Sequence, residues 1–371
     1  MALTVIQILP ALEAGGVERG TLEVAQHLVR CGHRSLVLSA GGRLVRELTA
    51  AGSEHIHIPI GGKSLLAIRL LPMLRRIFTG ADIVHVRSRF PAWLAWLAWR
   101  GMHEQTRPGF ITTVHGVYAV NAYSRIMTRG DRVIAVSDYI RDYISTNFPR
   151  TDPARIITIH RGIDPDQYHP GFRPEPGWLR EWQQQFPELQ DKFLLTLPGR
   201  ISRRKGHEDF LRLMAGLQDR HLNIHGLVVG GPHPRKRDFF NALQAAAADL
   251  GLAQHITFVG HRDDLREILS ISAIVLSLSG LPEAFGRTAL EALALGTPVI
   301  AYAHGGVHEI LQTLLPDGLV QPGDIAGSLA LVEKFYHERP VIAATNPYQL
   351  HTMLERTIAC YEEVAGRKQR T

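Results

Sequence analysis

Two cysteines in 371 residues, Cys31 and Cys360, stand far apart without CxxC or Cys/His spacing. That excludes a disulfide framework and a zinc site and fits a reducing compartment. No apolar run approaches the ~20 residues needed to cross a bilayer, because Arg69, Arg75, Arg76 and Arg100 interrupt the longest candidates. The N-terminal residues have no basic n-region and carry Glu13 ahead of any cleavage point, so a first strand is expected rather than a signal peptide. The G-x-G-x-x-G fingerprint, a DxD metal motif at a strand end, heptads, low-complexity tracts and sequence repeats are all absent. The expectation is a cytoplasmic protein, at most peripheral on the inner face of a membrane.

What is present is 45% hydrophobic content, enough for two domains each with its own core. Charge is uneven. Residues 1–168 hold 20 Lys+Arg against 13 Asp+Glu, or +7, and the remainder holds 21 against 22, or −1. The basic first half favours anionic partners, whether nucleic acid, anionic lipid or phosphorylated glycolipid, without choosing among them.

Short runs rich in β-branched residues at 4–9, 35–39, 83–86, 110–114, 133–136 and 156–159 read as strands. Helical patterns at 17–30, 65–78, 91–100 and 138–148 alternate with them, which predicts a mostly parallel sheet. After Asp164 the stretch PDQYHPGFRPEPG reads as a linker. The alternation then restarts, with strands at 192–197, 223–229, 255–259, 273–277 and 298–302 and helices near 208–217, 239–250, 265–269 and 288–295. The division expected is 1–168, a Rossmann-like domain; 169–346, a second Rossmann-like domain; and 347–371, a terminal helix. In open α/β sheets ligands bind outside the carboxyl ends of the strands, so strand-end residues become the candidates.

Residues 277–310, SLSGLPEAFGRTALEALALGTPVIAYAHGGVHEI, hold Glu283 on a loop, Glu291 on the helix that follows, and the pair Gly305-Gly306. Amides from Phe285 to Thr288 would begin that helix unpaired and make an anion site. Glu291, a turn further in, suits a ribose diol. Taken alone, the spacing is that of a capped helix with a solvated glutamate; the flanking pattern reverses that preference. A second segment, Gly199-Arg200-Ile201-Ser202-Arg203-Arg204-Lys205-Gly206, follows the first strand of the second half. Arg203 and Arg204 read as surface charges. Taken alone, the run is also a solvated basic turn.

These segments resemble the E-x7-E signature of retaining glycosyltransferases of family four, and RSRFPAW, TVHGVY and RGDRVIAVS are similar to the lipopolysaccharide-core enzymes within it. The resemblance covers nearly the whole chain and implies an α/β GT-B fold: two Rossmann-like domains facing across a cleft, 1–168 on the acceptor side and 169–346 binding the nucleotide sugar, with the C-terminal helix at 347–371 returning to the N-terminal domain. It implies that Glu283 meets hydroxyls of the transferred sugar, Glu291 the nucleotide ribose, Ala284, Phe285, Gly286, Arg287 and Thr288 sugar and phosphate, and Arg200 with Lys205 the diphosphate. Gly15 and Gly16, before Glu18, resemble the glycine loop that approaches donor phosphate and acceptor. His115, at a strand end, resembles the histidine that contacts the donor sugar. His85 and Arg87, with Glu18, are expected on the acceptor side, and Arg161 with Asp164 resembles the segment leading to the hinge.

The implied reaction moves a hexose-type sugar, with retention and without a metal or other cofactor, from a UDP- or GDP-linked donor to a lipid-linked or core oligosaccharide. Nucleic acid is not expected as a partner. The alternatives are a GT-B sugar-nucleotide epimerase and a noncatalytic nucleotide-sugar-binding protein. Leucines and arginines at 63–78 suit an anionic membrane surface, although a packed helix with a basic outer face gives the same pattern.

Overall fold

A computed structural model describes residues 2–13, 15–62, 65–220, 222–232 and 237–368. Ala14 of the glycine loop, Lys63 and Ser64 of the basic stretch, and residues 369–371 of the terminal segment lie outside the described residues. The chain forms two compact units, one of Met1–Gly162 with Leu350–Thr371, the other of Ile163–Gln349. The first unit thus ends short of residue 168. The Pro/Gly-rich stretch belongs to the second, which it enters through the Ile163 N–H bonded to Tyr348 O at 3.1 Å.

Among the described residues the first unit holds a seven-stranded parallel sheet: β1 Thr4–Ile8, β2 Arg34–Ser39, β3 Glu54–His57, β4 Ile83–Val86, β5 Gly109–Val114, β6 Arg132–Ala135 and β7 Ile156–Thr158, in the order β3-β2-β1-β4-β5-β6-β7. The second holds six: β8 Phe193–Pro198, β9 Ile224–Val229, β10 Ile256–Gly260, β11 Ile274–Ser277, β12 Val299–Tyr302 and β13 Leu319–Val320, in the order β10-β9-β8-β11-β12-β13. Both sheets carry the doubly wound Rossmann order, and each reverses direction beside its first strand, at β1/β4 and β8/β11. Ligands collect at such switch points, outside the carboxyl ends of the strands. Burial follows from helices covering both faces: β4, β5 and β9 are buried at every position, which is why they read as apolar runs rather than as alternation.

The helix Leu350–Lys368 packs on the first unit's sheet through Met353, Leu354, Ile358, Tyr361 and Val364, beside Leu3, Val5 and Ile83. Each such side chain contributes roughly 1.5–3 kcal/mol of burial. The stretch expected as one helix is instead a 3-10 turn, Leu65–Leu70, followed by the α-helix Leu71–Phe78. Pro72 lies in the first turn of that helix, where its missing N–H costs no intrahelical bond. No helix among the described residues is long and apolar enough to cross a membrane.

Candidate functional site

In the second unit two loops meet at the β8/β11 switch point. Gly206, at φ +74, lies so close to the end of β11 that a Cβ there would sit 1.9 Å from the Leu278 carbonyl oxygen. Only glycine permits that approach. It brings the basic turn onto the acidic loop: Gly280 N–H donates to Arg204 O at 2.9 Å, and Lys205 Nζ lies 2.6 Å from Glu283 Oε1. Arg200 is exposed just after the β8 end and pairs with no carboxylate among the described residues; Arg203 and Arg204 are exposed.

Glu283 is gripped from several sides. The Ser279 hydroxyl donates to the same oxygen that Lys205 holds, and His304 Nε2 donates to Ser279 O at 2.8 Å. Burial alone would push the Glu283 carboxyl up; Lys205, Ser279 and His304 outweigh it and keep it below its ordinary range, hence ionised at neutral pH.

The backbone around Glu283 is shaped by a second helix start. The helix Gly305–Leu314 presses its first turn against the loop: a Cβ on Gly305 would lie 2.6 Å from Glu283 O, and one on Gly306 2.5 Å from Ala284 O. The Gly306 N–H donates to Glu283 O at 2.8 Å. Gly286, at φ +98, caps the helix Arg287–Ala294, which carries the half-buried Thr288 in its first turn. Phe285 is buried and meets the edge of Tyr348 at 5.7 Å. Glu291 is 8% exposed, with Oε1 held by Arg287 Nε at 2.9 Å. The structure therefore brings Lys205, Glu283 and the amides at 285–288 to one strand-end locus, with Arg200 beside it and Glu291 one turn along.

In the first unit Gly15, at φ +146, caps the helix Gly16–Arg30, and both glycines are exposed. Glu18 folds back so that a Cβ on Gly15 would meet its Oε2 at 2.6 Å. His115 ends β5. Arg161 Nη2 lies 3.0 Å from its Nδ1, and a guanidinium only donates, so Nδ1 accepts and the neutral ring carries its proton on Nε2. That nitrogen is shielded from solvent and has no hydrogen-bond partner among the described residues. Burial first, then the Arg161 and Arg87 charges and His85, hold the ring well below its ordinary pKa. His115 is thus a fixed neutral donor at physiological pH. Arg161 fits there because the helix opposite offers Gly20, whose Cβ would stand 2.1 Å from Nη1.

His85 and Arg87, expected on the acceptor side, both lie in a buried polar network. His85 is 1% exposed, with Nδ1 bonded to Tyr361 Oη and Nε2 to Thr113 Oγ1, both at 2.6 Å. Arg87 is 3% exposed and donates twice to Gln7 Oε1. They tie β4 to β1, β5 and the terminal helix. Strand-end position suggests a ligand contact, but a side chain on the inner face meets neighbouring elements first.

Sequence reasoning missed Ser279 and His304, and it took Arg161 for a hinge element rather than the partner of His115. Ser279 and His304 do follow β11 and β12 directly, the signal that could have found them. Nothing in the spacing pairs residues 115 and 161.

One pH prediction follows. His85 and His115 are both held well below their ordinary pKa, burial being the largest cause. Below about pH 6.5 the unfolded chain binds protons that the folded one refuses, so stability rises with pH there. Melting temperature is expected to fall as pH drops from 7 to 5, and His115→Gln to flatten that slope; an unchanged slope would contradict the assignment.

Residues 14–167 match the profile of Glycosyltransferase Family 4, and residues 180–348 that of Glycosyl transferases group 1. A glycosyltransferase crystal structure from Rickettsia africae is 30% identical, covers 98% of each chain and superposes with a TM-score of 0.84. HepE from Anabaena, in complex with UDP-glucose, is 17% identical over 97% of this chain and 100% of that one, with a TM-score of 0.83. D-inositol 3-phosphate glycosyltransferase from Mycobacteroides abscessus is 31% identical over 185 residues, 49% of this chain and 39% of that protein, so the match spans well under half of that relative's length. With both halves matched and the whole fold shared, the chain belongs to the GT-B glycosyltransferases of family four.

Proposed function

We propose that this chain moves a hexose-type sugar from a nucleoside-diphosphate sugar to a hydroxyl of a lipid-linked or core oligosaccharide, with retention at the anomeric carbon. The observation that carries the reading is the Lys205–Glu283 pair at the β8/β11 switch point, with a helix start and Glu291 directly behind it. Lys205 and Arg200 face the diphosphate as point charge and fork. The amides at 285–288 and the dipole of Arg287–Ala294 add to that field. Glu291 takes the ribose diol and Glu283 a sugar hydroxyl.

In the transfer step the bond from the anomeric carbon to the β-phosphate oxygen breaks and the bond to the acceptor oxygen forms on the same face. The acceptor proton passes to the leaving diphosphate. Negative charge develops on that phosphate, which is why fixed cations matter more than a protein base. UDP-glucose in HepE supports a uridine donor as the first to test. Incubation with UDP-glucose and an oligosaccharide acceptor should yield a glycosylated product with retained anomeric configuration. Free or epimerised sugar as the sole product would favour an epimerase instead.

Fixed cations at the diphosphate also predict metal independence. Activity should persist in excess EDTA; abolition that magnesium restores would overturn this part.

A peripheral membrane contact is supported by the segment Leu65–Phe78. Leu66, Ile68 and Met73 are 64%, 55% and 40% exposed beside exposed Arg69, Arg75 and Arg76, while Leu74 and Phe78 are buried beneath.

A further inference from the structure

The first unit contains a cavity that none of the roles above uses. Its volume is about 450 Å³, and Arg125, Arg129 and Arg150 line it together with Asn121, Asn147 and Thr151. No carboxylate lines it among the described residues. Three like charges around one concavity repel one another, so the arrangement gains when an anion fills it.

The walls are held in place. Asn121 Oδ1 accepts from Ser124 N–H at 2.9 Å and fixes the turn Ser124–Thr128, which leaves the Asn121 amide nitrogen as a donor. Arg129 stacks over Trp96 at 4.7 Å and Trp93 at 5.9 Å, and Trp93 is anchored by its Nε1 donating to Tyr123 O at 2.9 Å. Stacking uses the face of a guanidinium and leaves the N–H groups in its plane for an acceptor. Opposite, Asn147 Nδ2 donates to Tyr143 O at 2.9 Å, and the Thr151 N–H to Phe148 O at 2.9 Å. Neither Arg125 nor Arg150 has a carboxylate partner among the described residues, and both are exposed.

The cavity is also tied to His115. The His115 N–H donates to Tyr118 Oη at 3.3 Å, the Tyr143 hydroxyl donates to Tyr118 O, and Asn147 binds Tyr143 in turn. Asn121 lies six positions after His115, so their Cα atoms are at most about 22 Å apart.

We propose that this cavity is a binding site for a phosphate group, held by Arg125, Arg129 and Arg150 and presented by a molecule other than the sugar donor. Guanidinium forks match phosphate oxygens two at a time, and the volume suits one small head group. Val120, which lines the cavity, is 58% exposed, and Phe148 and Pro149 line it too; this apolar part of the wall suits a phosphate attached to an amphiphile. That the phosphate belongs to the acceptor rests on the transfer reading above; that the cavity binds phosphate does not.

The test uses the full chain with Arg200→Ala and Lys205→Ala together, so that the donor's diphosphate site has lost both of its fixed cations, and adds Arg125→Ala and Arg150→Ala together. Two probes are used: inorganic phosphate, by isothermal titration, and vesicles of phosphatidylglycerol in phosphatidylcholine, by co-sedimentation. Removing both arginines should weaken binding on the order of a hundredfold, about tenfold for each charge-assisted contact, with the melting temperature held because both side chains are exposed. A loss seen with inorganic phosphate assigns the site to a soluble phosphorylated ligand, and a loss seen with vesicles alone assigns it to a lipid head group. Equal binding of both probes with and without the two arginines overturns the proposal. UDP-glucose binding to the unmodified chain, measured alongside, reports on the donor site alone, so the two readings fail separately.

Discussion

Lys205→Ala is expected to lower kcat on the order of 10²–10³-fold, the cost of removing one fixed group that meets developing charge. The leaving diphosphate gains charge only as its bond to the sugar breaks, so the loss should fall on kcat and much less on the equilibrium Kd for the nucleotide. Lys205 is placed for this by the β8 end and by its 2.6 Å contact with Glu283. Arg200 cannot replace it, since it follows β8 directly while Lys205 is drawn across to the acidic loop. The fold should survive, because the Lys205 and Glu283 side chains are 35% and 24% exposed and Ser279 still donates to the carboxylate. One secondary effect follows from the balance at Glu283. Without Lys205 the push from burial gains ground, so its pKa rises and the acid limb of the kcat profile moves toward neutrality. Steady-state kcat beside calorimetric Kd checks both points, and an unchanged kcat removes Lys205 from the chemistry.

Gly206→Ala is expected to be the most destabilising single methyl in the second unit. Its φ of +74 is a left-handed conformation, which costs a non-glycine residue on the order of 1 kcal/mol or more. The new Cβ would stand 1.9 Å from Leu278 O and 2.6 Å from Leu278 Cβ. Backbone cannot yield as a flexible side-chain end can, so the basic turn must withdraw from β11, and the Gly280 to Arg204 bond and the Lys205–Glu283 contact go with it. A total near 3–5 kcal/mol is expected, and a melting temperature lower by roughly 6–20 °C for a unit of this size. Gly177→Ala is the control. A Cβ there meets nothing within 4 Å and its φ is not positive, so that variant should melt at or slightly above the parent temperature. Equal melting of the two variants would contradict the geometric argument.

The parallel sheets were legible because strands buried on both faces read as unbroken apolar runs, as 110–114 and 223–229 do. Weak or short elements were not. β3 has the sequence EHIH, half-exposed at the sheet edge, and β13 is two residues long, so neither carries a periodic signal. Helices Pro176–Gln185, Gly305–Leu314 and Ile325–His337 also lay outside the reading, the first behind a proline-rich stretch and the second behind a glycine pair that looks like a turn. That pair shows the limit well. Sequence shows Gly305-Gly306, but only structure shows that both lack a side chain so that one helix start can press on the backbone of Glu283 and Ala284. Glu283 and Lys205 could be named singly from their motifs; that they pair across 78 residues depends on two loops leaving adjacent strands. His85 and Arg87 show the converse limit, since a buried polar network and a ligand-facing one carry the same residue types at the same strand ends.

The central claim, a nucleotide-sugar donor site in the second unit, is tested most directly by thermal shift with UDP- and GDP-linked hexoses on the parent chain and on Glu291→Ala. A ligand that binds only the folded state at a hundred times its Kd adds about 2.7 kcal/mol of stability. The account predicts that at least one nucleotide sugar raises the parent's melting temperature, and that Glu291→Ala loses most of that rise at the same concentration. Equal shifts in the two chains, or none in the parent with any donor, would contradict it.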